Sequence, residues 1–312
     1  MKTIAFLFPG QGSQSVGMGQ DLFEEYDFVR EIFDAADEIA GAHISKICFK
    51  GPMETLTETV NLQPAVTAVN LACLAAIERA GIPCQFSTGH SLGEYSALRS
   101  AGVVSMADTL RMVFKRGQLM HRESQQHKGA MSAIVGLEID RVDELVQADQ
   151  SSGTVSVANH NSKEQIVITG SPDAVSAVSQ AAKAKGARAI PLKVSGAWHS
   201  ELIKGAEEEF AAFLETIEFS SPAHRVIHNV SADSCQEAPE IRQLMANQLC
   251  SPVRWYDTVC RLMAEKVDTF IEVGPGRVLA GLLKKIVPPE YDHRVFNVGN
   301  MKTLEALVSE LS

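Results

Sequence analysis

Apolar residues along this chain alternate between two rhythms. Short, nearly unbroken apolar runs, at Ile4–Phe8 and Thr269–Val273, have the length of strands buried on both faces. Between such runs, apolar positions recur at three- and four-residue spacing. Phe28, Ile32, Phe33, Ala36 and Ile39 form one helical stripe that ends near Gly41. Pro64 is expected to open a second helix, carrying Ala65, Val69, Ala72, Cys73, Ala76 and Ile77 and stopping at Gly81. Residues 82–86 then read as a strand and 92–101 as a helix. Ser105-Met-Ala-Asp108 starts a further helix with Leu110, Val113, Phe114 and Gly117 inward.

The order changes at Gly129. Residues 130–137 read as a strand and 140–148 as a helix. Residues 154–158 and 165–169 form two strands, 171–185 an alanine-rich helix and 189–194 a last strand. This βαββαβ order predicts a ferredoxin-like unit. The polar run Ala158-Asn159-His160-Asn161-Ser162 falls between its middle strands and reads as a turn. Beyond it come helices around Phe210, Phe213 and Ile217 and over 241–249, and a strand at Val226-Ile227. Val278–Ile286 follows as a helix, Arg294–Val298 as an edge strand, then a short final helix. The expected architecture is α/β: a large domain with a mostly parallel, covered sheet over 1–128 and 197–312, and a small ferredoxin-like domain inserted at 129–196.

Composition adds exclusions. With 45% hydrophobic and 21% charged residues the chain is ordinary for a globular protein, and no membrane span or cleavable leader is expected. A net charge of -10 argues against a general nucleic-acid binder. The six cysteines contain no C-x-x-C pair and the nine histidines no metal-ligand spacing, so a reduced cytoplasmic protein without a metal is expected.

The chemistry centres on Gly89-His90-Ser91-Leu92-Gly93, a G-x-S-x-G between a strand and a helix. That arrangement turns the chain sharply and lifts the serine hydroxyl clear, at the positive end of a helix. The loop Pro9-Gly10-Gln11-Gly12-Ser13-Gln14 lacks the third glycine and the lysine of phosphate loops. It is suited instead to bringing backbone N–H groups close to a reacting group. A serine needs a base. His90 adjoins Ser91 but points away on the strand, and is expected to position the elbow. His199 lies in a small-residue loop where the inserted unit rejoins the large domain, and is the choice for the base. No acid is clearly assigned, so a Ser–His dyad is expected. On spacing alone Arg116 is open between a solvated arginine and a buried one awaiting an anion.

Phe8-Pro-Gly-Gln-Gly-Ser-Gln14, Gly89-His-Ser-Leu-Gly-Glu-Tyr-Ser-Ala-Leu98, Arg116-Gly117, Gly129-Ala-Met131, Asn159 and Asn161, His199-Ser200, Gln248 and Glu272-Val-Gly-Pro-Gly276 follow one another in order. In these the chain resembles the malonyl-CoA:acyl carrier protein transacylases of bacterial fatty-acid synthesis, over essentially its whole length. The resemblance implies a hydrolase-like large domain with the site between it and the insertion. It implies that Ser91 is acylated by malonyl-CoA, that His199 serves as base and then acid, and that the N–H groups of Gln11 and Leu92 form the oxyanion hole. Arg116 would hold the malonyl carboxylate, and Gln248 would hold His199, partly through its backbone carbonyl. His90, Asn159, Asn161 and Trp198 complete the substrate site. It implies that acyl carrier protein is the acceptor; no bound cofactor and a monomer are expected. Alternative readings are a serine hydrolase of acyl carriers or acyl-CoA, a trans-acting acyltransferase of a polyketide pathway, and a non-catalytic carrier-docking subunit. Lys183, Lys185, Arg188, Lys193 and Lys204 are a candidate landing patch for an acidic carrier, against the alternative of a solvated face.

Trp198 departs from the Phe common before the histidine in malonyl-specific relatives. If its larger ring lines the acyl pocket, α-branched acyl groups are disfavoured. Steady-state turnover with methylmalonyl-CoA should be far below that with malonyl-CoA, and comparable values would remove this role for Trp198.

Overall fold

The computed structural model describes residues 2–149 and 152–311. Met1 and Ser312 at the ends of the chain, and Gln150 and Ser151 within the expected insertion, lie outside the described residues. Two sheets organise what is described. The first has five parallel strands: β1 (Ile4–Phe8), β2 (Phe86–Gly89), β7 (Arg225–Val226), β8 (Thr269–Val273) and β9 (Arg294–Val298), in the order β7-β2-β1-β8-β9. The second has four antiparallel strands: β3 (Ala130–Val135), β4 (Val155–Ser162), β5 (Gln165–Gly170) and β6 (Arg188–Pro191), in the order β4-β5-β3-β6. Helices Ile139–Ala148 and Pro172–Ala184 pack on the second sheet, which gives the ferredoxin-like arrangement.

The central strands β1 and β8 are buried along their whole length, as their apolar runs require. Helix Asp27–Ala40 ends with Gly41 in the left-handed region, at φ 58°. Helix Met106–Gln126 starts on Ser105, whose hydroxyl accepts from the Asp108 N–H at 3.0 Å. In that helix a Cβ at Gly117 would sit 3.1 Å from the Thr59 carbonyl oxygen, so the glycine allows helix Thr59–Arg79 to lie close alongside.

Several expectations are corrected. The second helix starts at Thr59, and Pro64 lies inside it, buried. The proline lacks an N–H for that helix's hydrogen-bond ladder, and it lies within a run of buried residues from Leu62 to Leu74. By length and composition this helix could cross a membrane, but 83% of its apolar window is buried within the protein. Strand β2 begins at Phe86, not Ile82. The Ile82 N–H closes the preceding helix onto the Ile77 carbonyl, and Gln85 is the first residue to bond to β1, at Ile4. Residues 158–162 are not a turn. They are the second half of β4, and the chain reverses at Lys163-Glu164. Register shifts between Val157 and Asn159 and between His160 and Ser162 break the alternation of that strand. The break shows in two adjacent buried pairs, Ala158 with Asn159 and Asn161 with Ser162, while Asn159 and Asn161 share the inward face and His160 between them is partly exposed. Helix Trp255–Ala264 was not anticipated.

The first sheet and the serine turn touch at Gly93. A Cβ there would lie 1.9 Å from the Phe8 carbonyl oxygen, and one at Gly89 would lie 2.0 Å from the Gly93 carbonyl carbon. Neither neighbour is a side chain that could move aside. Gly93→Ala should therefore destabilise the fold by more than about 3 kcal/mol, read as a lower urea midpoint. An unchanged midpoint would mean that β1 and the turn separate freely.

Candidate active site

Strand β2 delivers the chain to Ser91, which holds φ 50° without being a glycine. That strained conformation needs outside support. Asn229 supplies it, accepting from the Ser91 N–H at 2.7 Å while its own amide donates to the Gly89 carbonyl at 2.7 Å. One carboxamide thus clamps both sides of the turn. Helix Gly93–Ser100 follows immediately, pointing its N-terminus at the serine.

His199 also takes a left-handed conformation, at φ 59°, and is 4% exposed. Its Nδ1–H donates to the Gln248 carbonyl at 3.0 Å, which leaves Nε2 as an acceptor 2.8 Å from Ser91 Oγ. A backbone carbonyl thus occupies the position that a carboxylate fills in a hydrolase triad. Arg116 is 2% exposed. Its Nη2 donates to Ser91 Oγ at 3.1 Å and reaches Gln248 Oε1 at 3.4 Å, and its guanidinium lies 5.6 Å from the centre of the Tyr95 ring. Among the described residues no carboxylate makes an ion pair with it. The solvated alternative for Arg116 is therefore excluded.

The chain loops of residues 9–14 and 89–93 meet closely. A Cβ at Gly10 would fall 2.5 Å from the His90 carbonyl oxygen and 3.5 Å from the Leu92 nitrogen. The Ser13 hydroxyl fixes the loop by donating to the Gly10 carbonyl at 2.7 Å. Gln11, Leu92, Ser91, His199 and Arg116 line one cavity of about 110 Å³, with His90, Met120, Met131, Asn159, Leu192, Val194 and Trp198. That is roughly the room of three or four waters, enough for a small acyl group. His90 turns away from the hydroxyl and meets Asn161 Oδ1 at 2.7 Å, tying the serine turn to the second sheet. Val253 adds a further tie, pairing with Ala158 and His160 on β4 through backbone hydrogen bonds. A more open hollow of about 740 Å³ beside Pro275 and Asn300 contains none of the reactive groups.

All ten sequence-predicted site residues thus gather around Ser91, though Asn161 and Gln248 stand behind the cavity wall. Lys183, Lys185, Arg188, Lys193 and Lys204 are exposed, and Lys204 is engaged by Glu207 at 2.6 Å. Sequence reasoning missed Asn229 and Glu94. The polar pair His228-Asn229 just after the strand Arg225–Val226 was a signal for the first, because sites in parallel sheets lie at carboxyl ends of strands. Among the described residues no group of three or more His, Cys, Asp or Glu is arranged to hold a metal ion.

Burial, and next the positive charge of Arg116, push the His199 imidazole down to about 3. The ring is neutral in the resting site. A serine turned out at a helix N-terminus, with a neutral imidazole on its hydroxyl, is suited to acyl transfer.

The comparisons agree in class. The acyl transferase domain family matches residues 5–303. Among curated relatives, malonyl CoA-acyl carrier protein transacylases of Bacillus subtilis and Haemophilus influenzae are 44% and 40% identical to this chain. Each alignment covers 92% of this chain, and 91% and 93% of the respective relative. An acyl carrier protein S-malonyltransferase from Vibrio cholerae superposes with TM-score 0.93 at 39% identity, covering 98% of this chain and all of that one. A malonyl-transacylase solved in complex with a type II polyketide acyl-carrier protein superposes with TM-score 0.94 at 37% identity, covering 99% and 100%. The chain belongs to the malonyl-CoA:acyl carrier protein transacylase family.

The low basicity of His199 sets a pH dependence. Its folded value lies below its unfolded one, so its contribution to stability is complete above about pH 6.5 and is lost as pH falls towards about 3. For the same reason, single-turnover acylation by acetyl-CoA should show no histidine limb near pH 6.5. In Arg116→Ala, which lacks the second cause of the shift, the limb should move up towards the ordinary imidazole range. A limb near pH 6.5 in the unaltered enzyme would contradict this.

Proposed function

We propose that this chain moves a malonyl group from malonyl-CoA to the phosphopantetheine thiol of acyl carrier protein through an ester on Ser91. The observation that carries the reading is the buried Arg116 guanidinium, 3.1 Å from the serine hydroxyl and without an ion-paired carboxylate among the described residues. A buried cation without an ion-paired carboxylate is costly. A substrate bearing a free carboxylate relieves that cost, and an acetyl group does not.

In the first half-reaction Ser91 Oγ attacks the thioester carbonyl while His199 Nε2 accepts its proton. The carbonyl oxygen becomes an oxyanion facing the N–H groups of Gln11 and Leu92. Collapse expels the CoA sulfur, which takes the proton from His199. The carrier thiol reverses these steps. Thioester to ester to thioester is nearly balanced, so no cofactor or external driving force is needed. A bound malonyl carboxylate also offsets the Arg116 charge that depresses His199, so the substrate strengthens its own base. Residues 1–128 and 197–312 supply the nucleophile, base and guanidinium in this scheme. The insert 129–196 closes the acyl pocket with Asn159 and braces His90 through Asn161. The enzyme acts as a monomer in the cytoplasm, with the exposed lysines at 183, 185 and 193 and Arg188 near the carrier's approach.

Intact-protein mass after mixing with malonyl-CoA or acetyl-CoA tests the reading. The unaltered enzyme should gain a malonyl adduct that discharges onto carrier protein, and Ser91→Ala should gain none. Arg116→Ala should lose at least tenfold in malonyl acylation with little loss for acetyl. An adduct released to water as fast as it forms would instead identify a hydrolase.

A further inference from the structure

Behind Ser91 lies a buried carboxylate that the scheme above does not use. Glu94, in the first turn of helix Gly93–Ser100, is 1% exposed. Both of its oxygens accept hydrogen bonds, Oε2 from Gln248 Nε2 at 2.6 Å and Oε1 from His228 Nδ1 at 2.9 Å. His228 is fully buried, and among the described residues its Nε2 has no hydrogen-bond partner. His228 thus presents Nδ1 to one carboxylate oxygen while Gln248 donates to the other.

Arg116 is the other buried charge of the site, and the Gln248 carboxamide stands between the two. Its Nε2 donates to Glu94 and to the Ser91 carbonyl, at 3.0 Å for the latter, while its Oε1 accepts from Arg116 Nη2 at 3.4 Å. The amide dipole runs from cation to anion. Turned over, it would set N–H groups against the guanidinium and its oxygen against the carboxylate. The backbone carbonyl of the same residue holds His199. One residue thus touches the imidazole, the guanidinium, the serine carbonyl and the carboxylate.

We propose that Glu94 is a positioning residue that sets acyl specificity: relayed through Gln248, its charge orients Arg116 and offsets part of the guanidinium charge before a substrate carboxylate arrives. The inference rests on the reading that Arg116 receives the malonyl carboxylate. A partly compensated guanidinium selects malonyl without trapping it, so the malonyl group can still leave for the carrier thiol. Without Glu94 the carboxylate meets an uncompensated cation, binds more tightly and departs more slowly.

Glu94→Gln removes the charge at nearly constant shape. Steady-state kinetics should show KM for malonyl-CoA falling at least threefold and kcat falling with it, while KM for acetyl-CoA stays constant. Parallel changes for the two substrates, or none, would overturn the proposal, since a residue that only packs has no means of telling them apart. Gln248→Ala provides a second line if the first variant fails to fold. It cuts the relay and leaves both charges, so KM and kcat for malonyl-CoA should again fall together at least threefold while KM for acetyl-CoA stays constant; parallel changes for the two substrates, or none, would overturn the proposal. Mass measurement of the unaltered enzyme runs alongside. A missing malonyl adduct there would sink the reading of the site itself, whereas an intact adduct with parallel kinetic changes would sink only the role of Glu94.

Discussion

The constraint on which the site depends is a guanidinium held out of water next to a serine hydroxyl. Burying Arg116 without a paired carboxylate costs free energy, and much of the surrounding structure serves to tolerate that cost. Helix Met106–Gln126 brings it in beside Gly117, where the lack of a side chain lets helix Thr59–Arg79 close over it. Tyr95 offers a ring face, Gln248 an oxygen, and Ser91 its hydroxyl. Burial, and next the same charge, depress the His199 imidazole, so the serine, the imidazole and the guanidinium share one electrostatic problem.

The backbone is built to the same end. Parallel strands β1 and β2 end side by side, at the glycine loop and the serine turn respectively. Glycines at 10, 89 and 93 let these segments approach to distances that a Cβ would forbid. The second sheet enters through β4, where Asn159 and Asn161, two residues apart on one face of the strand, reach inward, one to the cavity and one to His90.

Much of this was legible in the sequence, for identifiable reasons. Strands buried on both faces appear as apolar runs, and the βαββαβ order survives without knowledge of a single contact. The serine turn carries its own steric signature in Gly89 and Gly93. Legibility failed where tertiary structure overrides local preference. Asn159 to Ser162 has turn composition, yet pairing with β5 and with Val253 keeps it a strand. Pro64 looks like a helix start, yet packing holds it inside one. Trp255, Thr258, Val259 and Leu262 do have helical spacing and could have been read. Arg116 could not be assigned from spacing, because its burial depends on helices distant in sequence. Nor could Glu94, whose partners Gln248 and His228 lie 154 and 134 residues away.

The central claim is that Arg116 exists to receive the carboxylate of a group attached to Ser91. A crystal structure of the enzyme trapped after reaction with malonyl-CoA tests it most directly. The account predicts an ester on Ser91 Oγ, its carbonyl oxygen on the N–H groups of Gln11 and Leu92, and its free carboxylate on the two terminal nitrogens of Arg116. A carboxylate directed into solvent, with Arg116 still on Ser91 and Gln248, would contradict it.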